Sequence, residues 1–461
     1  MLITIGKRKV IKAKIGSLEI ELTEEFQNAI KIMEYTDQSI FITGKAGTGK
    51  STLIELFRQE TNKKVIFLAP TGVSALHING QTIHSFFQLP PKLIDKDQDV
   101  NKLSNKRLEV IEKVNAIVID EVSMVRADLM DGIDYSLRLN RNIDEPFGGV
   151  QMILIGDLYQ LPPVVDNGLA PYFYNQKDKY GSPWFFSSEV IRHKDKFYKS
   201  MKFIELTRIF RQDQEKQHYF INILNDLRIN NICDEKLEML NTRFKIGQKP
   251  NPNEIRITIC TKNDYANNTN NRKLNELDTQ EYIYEALTTG TYKNKKIDNY
   301  PTEPHLKLKK GAQIMMVKND RNGRWVNGTL GLVHKITDKS VFVNIKGGIY
   351  NVDKEKWDEI QYYYDPKIKK ITSEIVGTFI QYPISLAWAF TIHKSQGQTF
   401  DNVTIMSQGA WEHGQVYVAV SRCKTMEGII LETPIRRTDI HVNPIVGKFL
   451  KTMCNQEIEN I

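Results

Sequence analysis

Gly44-Lys45-Ala46-Gly47-Thr48-Gly49-Lys50-Ser51 sits between the apolar run Ile40-Phe41-Ile42 and the segment Thr52-Leu53-Ile54-Glu55-Leu56-Phe57. The octet fits the pattern G-x-x-x-x-G-K-[ST] in full, and its flanks read as a strand before it and a helix after it. A chain in this order wraps its backbone N–H groups around a phosphate, because glycine permits the turn and a helix N-terminus favours negative charge. Gly44, Ala46, Gly47, Thr48, Gly49, Lys50, Ser51 and Thr52 are therefore the expected nucleotide-binding residues. Lys50 is placed to reach the β- and γ-phosphates, and the Ser51 hydroxyl to ligate Mg2+. A glycine turn without a ligand is the plain alternative, and the strand, loop, helix context argues against it.

Working outward, Val65-Ile66-Phe67-Leu68, Ala116-Ile117-Val118-Ile119 and Met152-Ile153-Leu154-Ile155 are further continuous apolar runs. Such runs suit strands buried on both faces of a parallel sheet covered by helices. The charged stretch from Gln88 to Lys113, with Pro90-Pro91, breaks the rhythm and reads as a surface insertion. The α/β rhythm restarts near Ile204, continues through Ile255-Arg256-Ile257-Thr258-Ile259, and then stops. From Leu306 to Phe379 the runs are short and alternating, with hairpin signals at Asn322-Gly323, Asn327-Gly328 and Gly347-Gly348. Ser385-Leu386-Ala387 and Val403-Thr404-Ile405 resume the α/β character. The expected class is α/β, with a small β module interrupting a second parallel-sheet domain.

The length of 461 residues allows about three domains. With 41% hydrophobic and 26% charged residues, the chain is neither a disordered tail nor a collagen or disulfide scaffold. No apolar run approaches the roughly 20 residues of a membrane span. The net charge of +8 is compatible with a polyanionic partner without specifying one. Cys233, Cys260, Cys423 and Cys454 are far apart and outside zinc spacing, so reduced thiols are expected. No internal repeat of solenoid period is visible. The N-terminus lacks a signal-peptide pattern, and Val10 to Ile15 alternates like a strand, which reads as a small accessory piece.

The second chemical element is Asp120-Glu121, at the end of a buried strand and 70 residues after Lys50. Asp120 is expected to hold Mg2+ and Glu121 to polarise the attacking water, which favours an ATPase over a kinase or switch GTPase. A third strand runs into Gly156-Asp157-Leu158-Tyr159-Gln160-Leu161-Pro162-Pro163, where a loop at the carboxyl end of a strand is a ligand position. Gln160 is the candidate γ-phosphate sensor, and an ordinary turn capped by Asp157 is the competing reading.

These segments join Ala69-Pro70-Thr71-Gly72, Thr82-Ile83-His84-Ser85-Phe86, Thr207-Arg208-Ile209-Phe210-Arg211-Gln212, Thr391-Ile392-His393-Lys394-Ser395-Gln396-Gly397 and Val418-Ala419-Val420-Ser421-Arg422-Cys423 in one order. That order resembles the superfamily-one helicases, and the wording is similar to the PIF-type (petite integration frequency) DNA helicases. Leu137-Arg138-Leu139 through Glu145-Pro146-Phe147-Gly148-Gly149-Val150-Gln151 resembles the family's signature segment. The resemblance covers about residues 22–432. It implies two RecA-like domains, 21–200 and 201–305 with 380–450. A wedge insertion is expected at about 87–115 and an SH3-like β-barrel at 306–379, with 1–20 an accessory segment and 451–461 a tail.

The resemblance further implies ATP and Mg2+ as cofactors and 5'→3' translocation on single-stranded DNA, a polarity that composition and spacing do not show. Arg211 and Arg422 match the arginines that stabilise the transition state across the cleft, with Arg208 and Arg228 nearby in sequence. Gln27 resembles the adenine-reading glutamine, though Thr23 also reads as a helix N-cap with Gln27 in the first turn. Gly397 and Gln398 are expected to approach the nucleotide from the second domain. For DNA, Pro70, Thr71, Gly72, His84, Ser85 and Phe86 offer one grip and His393, Lys394 and Ser395 the other. Trp388 and Trp411 read first as packing residues, and Lys307, Lys309 and Lys310 first as a solvated face. The expected substrates are single-stranded, tailed and forked DNA, with G-quadruplexes among those the resemblance allows. The expected enzyme is a monomer, away from membranes, in a bacterial or phage-like cytoplasm at the nucleoid. A translocase that remodels protein-DNA complexes without separating strands, and an RNA helicase, stay open as rivals.

Overall fold

The strand Ile40–Gly44 forms as its apolar run predicts, with all five residues buried. It pairs in parallel with Gln151–Ile155 on one side and Lys202–Leu206 on the other. Ala116–Ile119, Val65–Ala69 and the short Gln81–Thr82 extend the sheet to six strands, all parallel. Ile40–Gly44 and Ala116–Ile119 flank Gln151–Ile155, so the glycine-rich loop, Asp120-Glu121 and Gly156-Asp157 open at one edge of the sheet. The helices Glu24–Tyr35 and Lys50–Glu60 cover one face with Phe26, Met33, Leu53 and Phe57. Ala127–Arg141 covers the other with Met130, Ile133 and Leu137. The computed structural model of the protein describes all residues except 1–2, 6–9, 16–17, 166–167, 175–179, 193–196, 198–199, 209–213, 245–254, 295–299, 366, 407–410 and 460–461.

A second parallel sheet has the order Ala389–Thr391, Ile257–Cys260, Val403–Met406, Ile429–Leu431. Its core takes Phe220, Ile223 and Leu227 from the helix Gln214–Arg228 and Val416 to Val420 from Gln415–Val420. Between Cys260 and Ala389 the strands are antiparallel. Five of them order as Gly348–Val352, Ser340–Ile345, Leu330–Thr337, Gln313–Met316, Ile384–Leu386. Lys346 and Gly347, at φ 50° and 89°, form a tight left-handed turn one residue earlier than the Gly347-Gly348 signal predicts, and Gly348 begins the next strand. A long hairpin, Glu355–Asp365 with Lys370–Gln381, stands beside this sheet.

Three boundaries and one packing expectation differ from the sequence reading. Lys202–Leu206 closes the first sheet instead of opening the second domain, because Phe203 packs with Phe41 across the pairing. The antiparallel strands begin at Glu281 and end at Leu386, beyond 306–379, since Glu281–Glu285 pairs with His305–Lys309. Residues 451–459 of the expected tail belong to the helix Pro444–Glu459, which returns to the first domain: Phe449 stacks on Phe186 at 4.3 Å, and Val446 and Met453 are buried there. The insertion at 88–113 is a packed element, with Val110 and Ile111 buried and the Ile94 amide donating to Asp128 at 2.9 Å. The N-terminal piece is a three-stranded antiparallel meander, Ile3–Ile5, Val10–Ile15 and Leu18–Leu22.

Candidate active site

Gly44 leaves the sheet where any Cβ would lie 2.5 Å from the Thr48 hydroxyl and 2.8 Å from the Leu206 carbonyl, so only glycine fits. Gly47 and Gly49 turn the loop at φ 83° and 88°, and Lys50 opens the following helix. The Lys50 ammonium folds back and donates to the Gly44 carbonyl at 2.7 Å and the Lys45 carbonyl at 3.1 Å. Burial pulls its pKa below the usual lysine value, against the pull of Asp157, Glu121 and Asp120. The Ala46 amide donates to the Tyr417 hydroxyl at 3.4 Å, which brings the second domain onto the loop.

Asp120 is buried, and its carboxylate accepts the Glu121 amide at 2.9 Å. Glu121 takes a left-handed conformation, φ 51° and ψ 42°, uncommon for a non-glycine residue and a feature of strained functional turns. Burial pushes Asp120 up to about 6. Burial and the neighbouring Asp120 push Glu121 up to about 7, which suits a base working near neutral pH. Asp157 is fully buried yet held below the ordinary carboxylate value: burial works against ionisation, and Arg228 and Lys50 outweigh it. Its Oδ1 accepts Arg228 Nη2 at 3.0 Å and the Tyr159 amide at 3.2 Å. Its Oδ2 accepts Gln160 Nε2 at 3.3 Å and the Tyr417 hydroxyl at 3.4 Å. From the second domain, Gln396 Nε2 donates to Glu121 Oε2 at 3.2 Å and to Gln160 Oε1 at 3.3 Å.

Arg422 is 1% exposed. Its guanidinium donates to the carbonyls of Val418, Ser395 and Gln398 and to the Ser421 hydroxyl, close enough to Glu121 to favour its ionised form. Arg211 lies outside the described residues, and Arg208 is exposed. Gln27 is in the helix that Thr23 caps, and its amide nitrogen donates to the Leu22 carbonyl at 3.0 Å. Gly397 turns at φ 77°, and Gln398 lies beside Gly328 of the β module. Ser51 is exposed in the first helical turn and Thr52 half-buried. Ser51 and Asp120 are the residues that would offer oxygens to Mg2+, and among the described residues no group of three or more His, Cys, Asp or Glu forms a metal cage. That sparse set fits Mg2+, which keeps water and phosphate oxygens as its remaining ligands.

The DNA candidates divide. Pro70 and Gly72 are half-buried at the start of the helix Gly72–His77, and the Thr71 hydroxyl caps that helix by accepting the Ser74 amide at 3.2 Å. His84 and His393 are half-buried, with burial lowering both pKa values, and Lys394 is exposed. The Ser85 carbonyl accepts Arg107 Nη1 at 2.9 Å. Two expectations are corrected. Phe86 offers no ring to a base, because it is 2% exposed and packed edge-on against Phe87 and Tyr362. Ser395 offers no hydroxyl to a phosphate, because it is fully buried and donates to the Ile392 carbonyl at 2.8 Å. Trp411 is buried and Trp388 packs against the β-module core, as read. Lys309 donates to the Leu277 carbonyl, while Lys307 and Lys310 are exposed. The sequence reading passed over Asp157, Gln396 and Tyr417 as site residues and left Arg228 as a neighbour. Asp157, Gln396 and Tyr417 stand in or beside a quoted motif, where the signal available was a polar side chain inside an otherwise apolar or glycine-rich stretch, whereas Arg228 ends a helix outside any motif.

A model of the PIF1-like helicase family matches residues 18–238, and one of the DNA helicase Pif1 2B domain matches residues 293–336. The chain is 31% identical over 421 residues to the ATP-dependent DNA helicase Pif1 of Bdellovibrio bacteriovorus, spanning 90% of this chain and 88% of that one. It is similar to the crystal structure of Bacteroides sp Pif1 in complex with ADP-AlF4, at a TM-score of 0.84 and 33% identity over 95% of this chain and 98% of that one. Pif1 from Bacteroides in complex with ADP-AlF3 and single-stranded DNA superposes at a TM-score of 0.67, with 34% identity and the same coverage. With a phosphate loop, an acidic pair and two parallel-sheet domains in the family's order, the chain belongs to the PIF1-like helicases.

Proposed function

We propose that this protein is an ATP-dependent DNA helicase that moves 5'→3' along single-stranded DNA and opens tailed and forked duplexes, with G-quadruplexes within its range. The observation that carries the reading is the convergence on one cleft of Lys50, Asp120, Glu121 and Gln160 from one parallel-sheet domain with Gln396 and Arg422 from the other. Hydrolysis at such a site is mostly positioning and charge stabilisation. Ser51 and Asp120 would hold Mg2+, which would supply positive charge to offset that of the phosphates. Lys50 exchanges its two carbonyl partners for phosphate oxygens. Glu121 accepts a proton from the attacking water, and its raised pKa equips it for this near pH 7. Gln160 orients that water or reads the γ-phosphate. Arg422, and Arg211 by its motif position, bring positive charge from the second domain. Gln27 reads the adenine.

DNA grips on both domains, Thr71, Gly72 and His84 on one and His393 and Lys394 on the other, turn cleft closure into a step along the strand. The enzyme acts as a monomer, and its DNA substrate assigns it to the nucleoid of a bacterial or phage-infected cell. The test is strand separation on two fluorescent duplexes, one with a 5' and one with a 3' single-stranded tail, with ATP and Mg2+. Unwinding only from the 5' tail is expected. Unwinding only from the 3' tail overturns the polarity. ATP turnover without unwinding supports the translocase, and equal unwinding of RNA duplexes supports the RNA helicase.

A further inference from the structure

Among the described residues, several polar groups of this cleft already have protein partners. Lys50 is spent on two loop carbonyls, the Ala46 amide on Tyr417, and Gln160 on Asp157 and Gln396. Glu121 is held by Gln396, whose single amide nitrogen serves Glu121 and Gln160 together, so both of its hydrogens are used. Glu121 and Gln160 belong to the first domain and Gln396 to the second, 275 and 236 residues away. The two hydrogen bonds therefore exist only while the domains sit in this relative position.

We propose that Gln396 is a positioning residue that keeps Glu121 idle while no DNA is bound, and that DNA on the second domain withdraws it. This rests on the reading of the cleft as an ATPase site. A carboxylate that accepts an amide hydrogen is a weaker acceptor for the hydrogen of water. The link to DNA is the turn that carries Gln396. The Ser395 amide donates to the Thr391 carbonyl at 3.0 Å, and the Gln396 amide to the His393 carbonyl at 3.2 Å. The Ser395 hydroxyl ties the same turn to Ile392 at 2.8 Å. Stitched in this way, the turn moves as one piece, and a phosphate drawn to His393 or exposed Lys394 shifts a side chain two or three positions on. Arg422 is tied to the same turn through the Ser395 and Gln398 carbonyls, so release of Gln396 and presentation of Arg422 are one movement.

The experiment measures phosphate release by the full chain with and without saturating single-stranded DNA, for wild type, Gln396→Ala and Gln396→Met. Methionine keeps the length and removes the donor, which guards against a loss caused by a cavity alone. The expected result is a DNA-free rate raised about fivefold in both variants, the kinetic worth of one ordinary hydrogen bond. The DNA-saturated rate does not rise in step, so the stimulation ratio falls by the same factor. A DNA-free rate that is unchanged or lowered in both variants overturns the inference, because a merely structural or activating role gives that result. Wild-type turnover that DNA does not stimulate also overturns the inference, whereas absence of any wild-type turnover overturns the ATPase reading itself, an outcome distinguishable from the others.

Discussion

Glu121 combines a left-handed backbone, a buried acidic neighbour and a pKa near 7, and each follows from its place at the end of a fully buried strand. Replacing it with glutamine keeps the size and removes the base. Glu121→Gln is expected to lower the turnover number by about a hundredfold or more while fluorescent-nucleotide affinity stays within a few-fold. The pair also has a stability signature. Burial raises Asp120 to about 6 and Glu121 to about 7, above the values of an unfolded chain, so the folded site takes up protons more readily. The stability contributed this way is present in full below the unfolded carboxylate pKa and is lost as pH rises through about 6 to 7. Asp120→Asn removes part of that cost. In urea unfolding without metal or nucleotide, the variant is expected to exceed wild type at pH 8 by on the order of 1 kcal/mol, with the difference closing toward pH 5. A difference independent of pH would sink this account.

Among the elements, the parallel strands were legible because a strand buried on both faces writes itself as a continuous apolar run. The hairpin Glu355–Asp365 with Lys370–Gln381 was legible only as β structure, and its docking was not. Tyr362 on that hairpin is 6% exposed, and its hydroxyl accepts the Phe67 amide at 3.4 Å across 295 residues of sequence. The Arg58 guanidinium lies 3.5 Å over the Phe67 ring in the same place, and Lys106 pairs with Glu374 nearby at 3.4 Å. A local pattern cannot announce such a partner, and the same packing explains why Phe86, read as a base platform, is core. Tyr362→Ala is expected to cost about 3 kcal/mol in urea unfolding and to expose the hairpin to limited proteolysis. Retained protease resistance would show that the docking does not depend on this ring.

At the scale of the whole molecule, two sheets face each other across a cleft and the final helix ties the chain back to its first domain. Arg228 and Asp157 join the domains as a nearly dry ion pair, 5% and 0% exposed, with Arg228 also 4.5 Å over the Tyr159 ring. The order of motifs announced two domains, yet this pair escaped because Arg228 ends a helix with no motif of its own. Truncating one partner strands the other charge. Arg228→Ala is expected to destabilise by about 3 kcal/mol, and to separate unfolding into two steps by calorimetry. One cooperative step at an unchanged midpoint would argue that the interface is held elsewhere.

The glycine-rich loop, the buried strands, the acid pair and the tight turns were determined by the sequence alone, because each depends on residues within a few positions of one another. Backbone freedom, apolar period and helix capping act over that range. Only the tertiary structure decided that Gln396 reaches Glu121, that Tyr417 meets Ala46, that Ser395 is interior, and that the chain's last helix belongs to its first domain. Those outcomes depend on which buried surfaces fit together across hundreds of residues, and packing of that kind is selected by the whole fold and leaves no mark at the single position.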